Sequence, residues 1–116
     1  MRWVVAAGCV AFSCVLATAA LAGPAVAIRY SEPSRWKNPQ LTQQECLSRA
    51  EAAITAAGFG EIERTEQTRY GTLREYTAAI RCIIDKQIVV FIVSGPGRKT
   101  ANDGAAALFQ RFEAAD

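Results

Sequence analysis

Histidine is missing from all 116 positions. That one absence removes the Ser-His-Asp relay, the Cys-His pair and the usual histidine-bearing zinc sites. What could still do chemistry is a set of cysteines, a scatter of carboxylates and one basic glycine-rich segment. Cys46 and Cys82 lie in different parts of the chain, and no Cys-x-x-Cys occurs. With nothing nearby in sequence to activate a thiolate, they read as a structural disulfide. Glu61 and Glu63 are spaced to share a strand face beside Arg64 and Arg69. An acid pair of the glycosidase kind needs one buried, shifted carboxyl, and this polar stretch has little with which to bury it. No catalytic residue, metal ligand set or cofactor is expected.

The segment Ser94-Gly95-Pro96-Gly97-Arg98-Lys99-Thr100 is the remaining candidate. It joins an apolar strand to a helix, and such a junction can aim backbone amides and the side chains of Arg98, Lys99 and Thr100 at an anion. It is not a phosphate-binding P-loop, because the spacing and the Gly-Lys junction both fail. The plainer reading is a strand-to-helix connection whose glycines and proline serve backbone geometry.

The net charge of the whole chain is +2, and Arg2 is the only charged residue before Arg29. This near balance offers no electrostatic attraction to nucleic acid or to an anionic membrane. The first 27 residues form a separate compositional block. Met1-Arg2 is a short positive start, Trp3 to Leu21 is apolar, and two small-x-small motifs follow. These are Ala20-Leu21-Ala22 before Gly23 and Ala25-Val26-Ala27 before Ile28. The block reads as a secretory signal peptide. Cleavage after Ala27 is favoured over cleavage after Ala22, because Pro24 would break the leader helix just upstream. A retained membrane anchor is the alternative. A lipoprotein is disfavoured, because apolar sequence runs on past Cys9 and Cys14 and neither context suits acylation. Without a twin arginine the general secretory route is expected. Arginine outnumbers lysine ten to three and alanine is abundant, a composition typical of a GC-rich bacterial genome. An exported compartment also suits a disulfide. The expected location is therefore periplasmic or secreted.

The elements that would position these residues follow from periodicity. Residues 28–40 carry two prolines and no period, which reads as an extended arm with Trp36 as its one large anchor. Thr42-Gln43-Gln44-Glu45 is a capping box that opens a helix. Cys46, Leu47, Ala50, Ala53, Ile54 and Ala57 form its apolar stripe. Gly58 supplies a left-handed end, with Phe59 folding back on Ile54. Residues 61–70 are polar on both faces and read as an edge strand, turned at Gly71-Thr72. From Tyr76 to Ile84 apolar residues alternate with Glu75, Thr77, Arg81 and their neighbours, a half-buried strand. Ile88 to Val93 is apolar on both faces, hence the best-buried strand. A last helix is expected from Asn102 or Asp103, with Ala101, Ala105, Leu108, Phe109, Phe112 and Ala115 on one face.

The sum is an α+β domain over residues 41–116. Its order is α-β-β-β-α, a three-stranded antiparallel meander with both helices on one sheet face. Cys46 on the helix stripe and Cys82 on the core face of the middle strand share the parity a bridge needs. The functional expectation is a small exported, non-enzymatic binding or accessory domain whose partner is another envelope or extracellular protein. Contact would run through the outer sheet face (Glu75, Thr77, Arg81, with Leu73, Ala79 and Ile83), the polar edge or Trp36. A homodimer through the sheet face or edge is a further option. The alternatives are an anion or small-ligand binder using Arg98, Lys99 and Thr100, and, least favoured, a histidine-independent enzyme.

Overall fold

The computed structural model describes residues 24–32 and 41–114. Most of the apolar N-terminal block, Trp36 and Ala115 lie outside the described residues. Among the described residues five strands form one antiparallel sheet: β1 (Ala25–Ser31), β2 (Gly60–Arg64), β3 (Thr68–Leu73), β4 (Tyr76–Ile83) and β5 (Ile88–Gly95). Their order across the sheet is β1-β5-β4-β3-β2. The helices α1 (Gln43–Ala56) and α2 (Arg98–Ala114) pack side by side on one face. The α+β class, the meander, the one-sided helices and the disulfide agree with the sequence. The strand count is five where three were expected.

Helix α1 starts and stops where its sequence dictates. The Thr42 hydroxyl accepts the Glu45 amide at 3.1 Å, and Glu45 Oε1 accepts the Thr42 amide at 2.8 Å. Two otherwise orphaned donors are thereby satisfied. At the far end the Gly58 amide reaches the Thr55 carbonyl at 3.0 Å and the Phe59 amide reaches the Ile54 carbonyl at 3.1 Å. Gly58 sits at φ 97°. This is a Schellman ending, in which a left-handed glycine lets the chain turn back.

Helix α2 begins at Arg98, a turn earlier than expected. Asn102 and Asp103 therefore lie inside the helix and do not cap it. Its buried residues Ala101, Ala105, Leu108 and Phe112 meet Val89, Phe91 and Val93 of β5 in a shared core. Phe91 lies edge-on to Phe109 and Phe112, with centroids 5.6 and 5.3 Å apart, a favoured aromatic geometry. Helix α1 covers β3 and β4. Cys46 and Cys82, both fully buried, are bonded across that interface with their Cα atoms 6.2 Å apart.

Three sequence expectations are corrected. First, the stretch read as one edge strand is a hairpin, β2 and β3. Its turn is built by Thr65, whose amide reaches the Thr68 carbonyl at 3.0 Å and whose hydroxyl accepts the Thr68 amide at 3.1 Å. Second, Gly71 is not a turn residue. It sits in β3 beneath α1, where an added Cβ would fall 2.5 Å from Ile54 Cγ2; glycine is there for close approach. The turn between β3 and β4 is Arg74-Glu75, with Arg74 left-handed at φ 57°. Third, Ile28 to Ser31 are not part of a free arm. They complete β1, which pairs residue for residue with β5 from Ala25 opposite Gly95 to Ser31 opposite Val89. The Ser31 hydroxyl also donates to the Glu113 carboxylate on α2, fastening the end of the strand to the helix.

Candidate functional site

Strand side chains alternate between faces, so the register defines what each side of the sheet presents. The helix side takes Ala27, Ala78, Ile80, Cys82, Val89, Phe91 and Val93. The other side carries no helix among the described residues. Its cross-strand rows follow from the pairing: Val26 with Ser94, Thr77 and Thr72; Ile28 with Ile92, Ala79, Tyr70 and Glu63; Tyr30 with Val90, Arg81 and Thr68.

These rows run from apolar to polar across the sheet. On β1, Val26, Ile28 and Tyr30 are 60%, 64% and 61% exposed. Beside them Val90 and Ile92 of β5 are half-buried, as are Ile88 and Ile83 one row further along. On the far side the face is polar and internally bonded. The Thr72 hydroxyl donates to Glu61 Oε2 at 3.1 Å. Arg81 donates to the Thr68 hydroxyl at 3.4 Å and to the Gln67 side chain. An exposed apolar stripe three residues long, continuous with a half-buried apolar strand, is the kind of surface that marks a contact site.

The sequence-derived partner residues divide accordingly. Thr77 and Arg81 lie on this open face, two rows apart with Ala79 between them. Glu75 occupies the exposed turn at the end of the sheet. Leu73, expected on the outer face, has the opposite parity: it pairs with Tyr76 and lies 3.9 Å from the position a Gly58 Cβ would take. The residues that dominate the face, Val26, Ile28 and Tyr30, were missed. Their signal was present as a period of two through Ala25–Ser31. It was hidden by continuity with the apolar sequence before it.

Arg98, Lys99 and Thr100 come together as the exposed first turn of α2. Lys99 Nζ binds Asp103 Oδ2 at 2.8 Å, one helical turn on; this hydrogen bond holds the ammonium pKa above its ordinary value. The Gly97 amide donates to Tyr76 Oη at 2.9 Å. The Tyr76 ring packs against Gly95, where an added Cβ would clash with it. The glycines of this connection thus make room for one tyrosine.

Glu51 of α1 gathers two arginines of the hairpin. Arg64 engages it through Nε and Nη2 at 2.8 and 2.9 Å, and Arg69 through Nε at 2.7 Å. Arg69 is buried and also donates to the carbonyls of Thr65 and Thr68 at 2.7 and 3.1 Å. The Arg64 hydrogen bonds lead in drawing the Glu51 pKa below the ordinary carboxylate value. The group therefore fixes the hairpin to α1. Among the described residues no three acidic or cysteine side chains gather into a metal-binding group. No described helix is long and apolar enough to cross a membrane. Comparisons of the chain with protein-family models, with curated proteins and with solved structures find no match.

Proposed function

We propose that this chain is an exported, non-enzymatic binding domain that meets another envelope or extracellular protein through the β1 side of its open sheet face. Export is supported by the leader pattern of the first residues and by the buried Cys46–Cys82 bridge, a bond that persists in oxidising compartments. The observation that carries the contact is the stripe Val26, Ile28 and Tyr30, set more than half exposed beside the apolar strand β5. A lone exposed apolar side chain is ordinary on a protein surface, whereas a contiguous patch is not. A partner that fits this stripe is apolar where it meets β1 and β5 and polar where it meets Thr77 and Arg81.

A photo-crosslinking residue at position 28 tests the reading in cells that export the full chain. The control places the same residue at Arg111, exposed near the end of α2. A discrete adduct from position 28 and none from position 111 is expected. An adduct of twice the chain's mass identifies the partner as a second copy. Equal background from both positions removes the open face as the contact surface.

A further inference from the structure

Two small-x-small motifs compete as the site at which the leader would be removed, and the fold distinguishes between their products. We propose that the cut falls between Ala22 and Gly23, so that the exported chain begins at Gly23 with β1 complete. This rests on the leader reading above.

Processing acts on an unfolded, translocating chain. The burial of Ala27 in the final fold therefore does not shield the bond after it. The fold bears on the choice through what each product can build. Cleavage after Ala27 would remove Ala25, Val26 and Ala27, and with them the pairs to Gly95, Ser94 and Val93. Ala27 belongs to the buried core and Ala25 packs against it. Val93, fully buried beneath α2, would keep Ala78 but lose its β1 neighbour, and the matching stretch of β5 would become an edge. The new terminal ammonium would sit on Ile28, directly opposite Ile92. An apolar strand with an unpaired edge and a charge beside it is a poor ending for a sheet.

Cleavage after Ala22 costs the domain nothing. The described sheet begins at Ala25, and Pro24 stands immediately before it. Proline without an amide hydrogen suits the position just outside a strand. Pro24 then stands just ahead of the strand, and every register pair of β1 survives. The Ala25-Val26-Ala27 motif is explained without processing. Its small residues face the helix side, where α2 packs close to β1, and Val26 faces outward.

The test is the intact mass of chain recovered outside the cytosol after expression of the full precursor in an exporting bacterial host. A mass beginning at Gly23 with two hydrogens missing for the disulfide is expected. A mass beginning at Ile28, or at any other interior residue, overturns the proposed site while leaving export standing. Retention of Met1 overturns the leader reading itself. The variant Ala22→Asp, which puts a charge where the peptidase requires a small residue, is expected to accumulate as uncut precursor. Processing of Ala22→Asp at the wild-type extent would overturn the site.

Discussion

The two edges of the sheet are built on opposite plans. β2 is five residues long, and Glu61 at φ 55° marks a bulge where its register with β3 shifts. Glu61, Glu63 and Arg64 are exposed along it, and Arg64 is tied back to α1. Short length, charge and a bulge each discourage a second strand from adding to an edge. β1 is seven residues long and pairs without a shift, and its outward side chains are valine, isoleucine and tyrosine. One edge is made to stay alone, and the other presents what β2 avoids. The contrast argues that the apolar side was kept for contact, since the chain already uses the means to suppress it elsewhere.

The sharpest way to separate the two sides is through their helices. α2 serves the β1 side, where Phe112 is fully buried beneath Phe91 and under the Arg49 guanidinium, 4.8 Å from its ring centroid. Phe112→Ala leaves a cavity and is expected to cost about 3–5 kcal/mol of stability, read by denaturant unfolding. Hydrogen exchange in the same variant should rise first in β1 and β5. Faster exchange confined to β2 and β3 would contradict this division.

The disulfide serves the opposite side, because it ties α1 to β4. Replacing both Cys46 and Cys82 by alanine is expected to cost about 3–4 kcal/mol in the chain-entropy account, given the 36-residue separation. Exchange should then rise first in β3 and β2. Gln43 reinforces the same junction, donating to the Cys82 carbonyl at 2.7 Å and accepting the Ile84 amide at 3.2 Å.

The two sides also differ in how well the sequence declares them. The capping box, the apolar stripe of α1, the left-handed Gly58 and the Cys46–Cys82 pairing were legible because each depends on contacts a few residues apart or on simple parity. The β2-β3 hairpin was not, because the run Glu61 to Tyr70 holds no glycine, proline or asparagine. Its turn is closed by a threonine side chain and by Arg69 donating to two of its carbonyls. The start of α2 was missed because Arg98 and Lys99 are unfavourable beside the positive end of a helix dipole. Asp103 offsets this from within the helix through Lys99. β1 was hidden most completely. It pairs with β5, a long-range contact no local pattern encodes, and it follows closely on a long apolar stretch. The open face, and with it the candidate site, was legible only at Thr77, Ala79, Arg81 and Ile83.

A smaller effect probes the protected edge. Glu51→Gln removes the carboxylate shared by Arg64 and Arg69 and is expected to cost about 1 kcal/mol at pH 7, since Arg64 is largely exposed and water screens much of the pair. The Glu51 pKa is lowered in the fold, so its contribution is present above the ordinary carboxylate range and is lost as pH falls through the lowered value. Wild type and variant should therefore converge in acid. An equal gap at pH 7 and pH 3 would show that packing, not charge, holds the hairpin to α1.

The smallest change in stability should accompany the largest change in binding. Ile28→Thr keeps a β-branched side chain on β1 and removes one ethyl-bearing apolar contact from a position 64% exposed. Its stability is expected within about 0.5 kcal/mol of wild type, as for most surface substitutions. Nothing on the helix side of the sheet is touched. A crosslinker carried at Tyr30, one row away on the same face, should nevertheless lose most of its adduct in the Ile28→Thr background. The matching control is Glu63→Thr on the β2 edge, which lies in the same cross-strand row as Ile28 and should leave the adduct intact. If both substitutions reduce it alike, the partner spans the whole face, and the difference between the two edges concerns solubility alone. If only Ile28→Thr does, the binding energy sits at the β1 side, where a few buried apolar anchors outweigh the larger polar area around them.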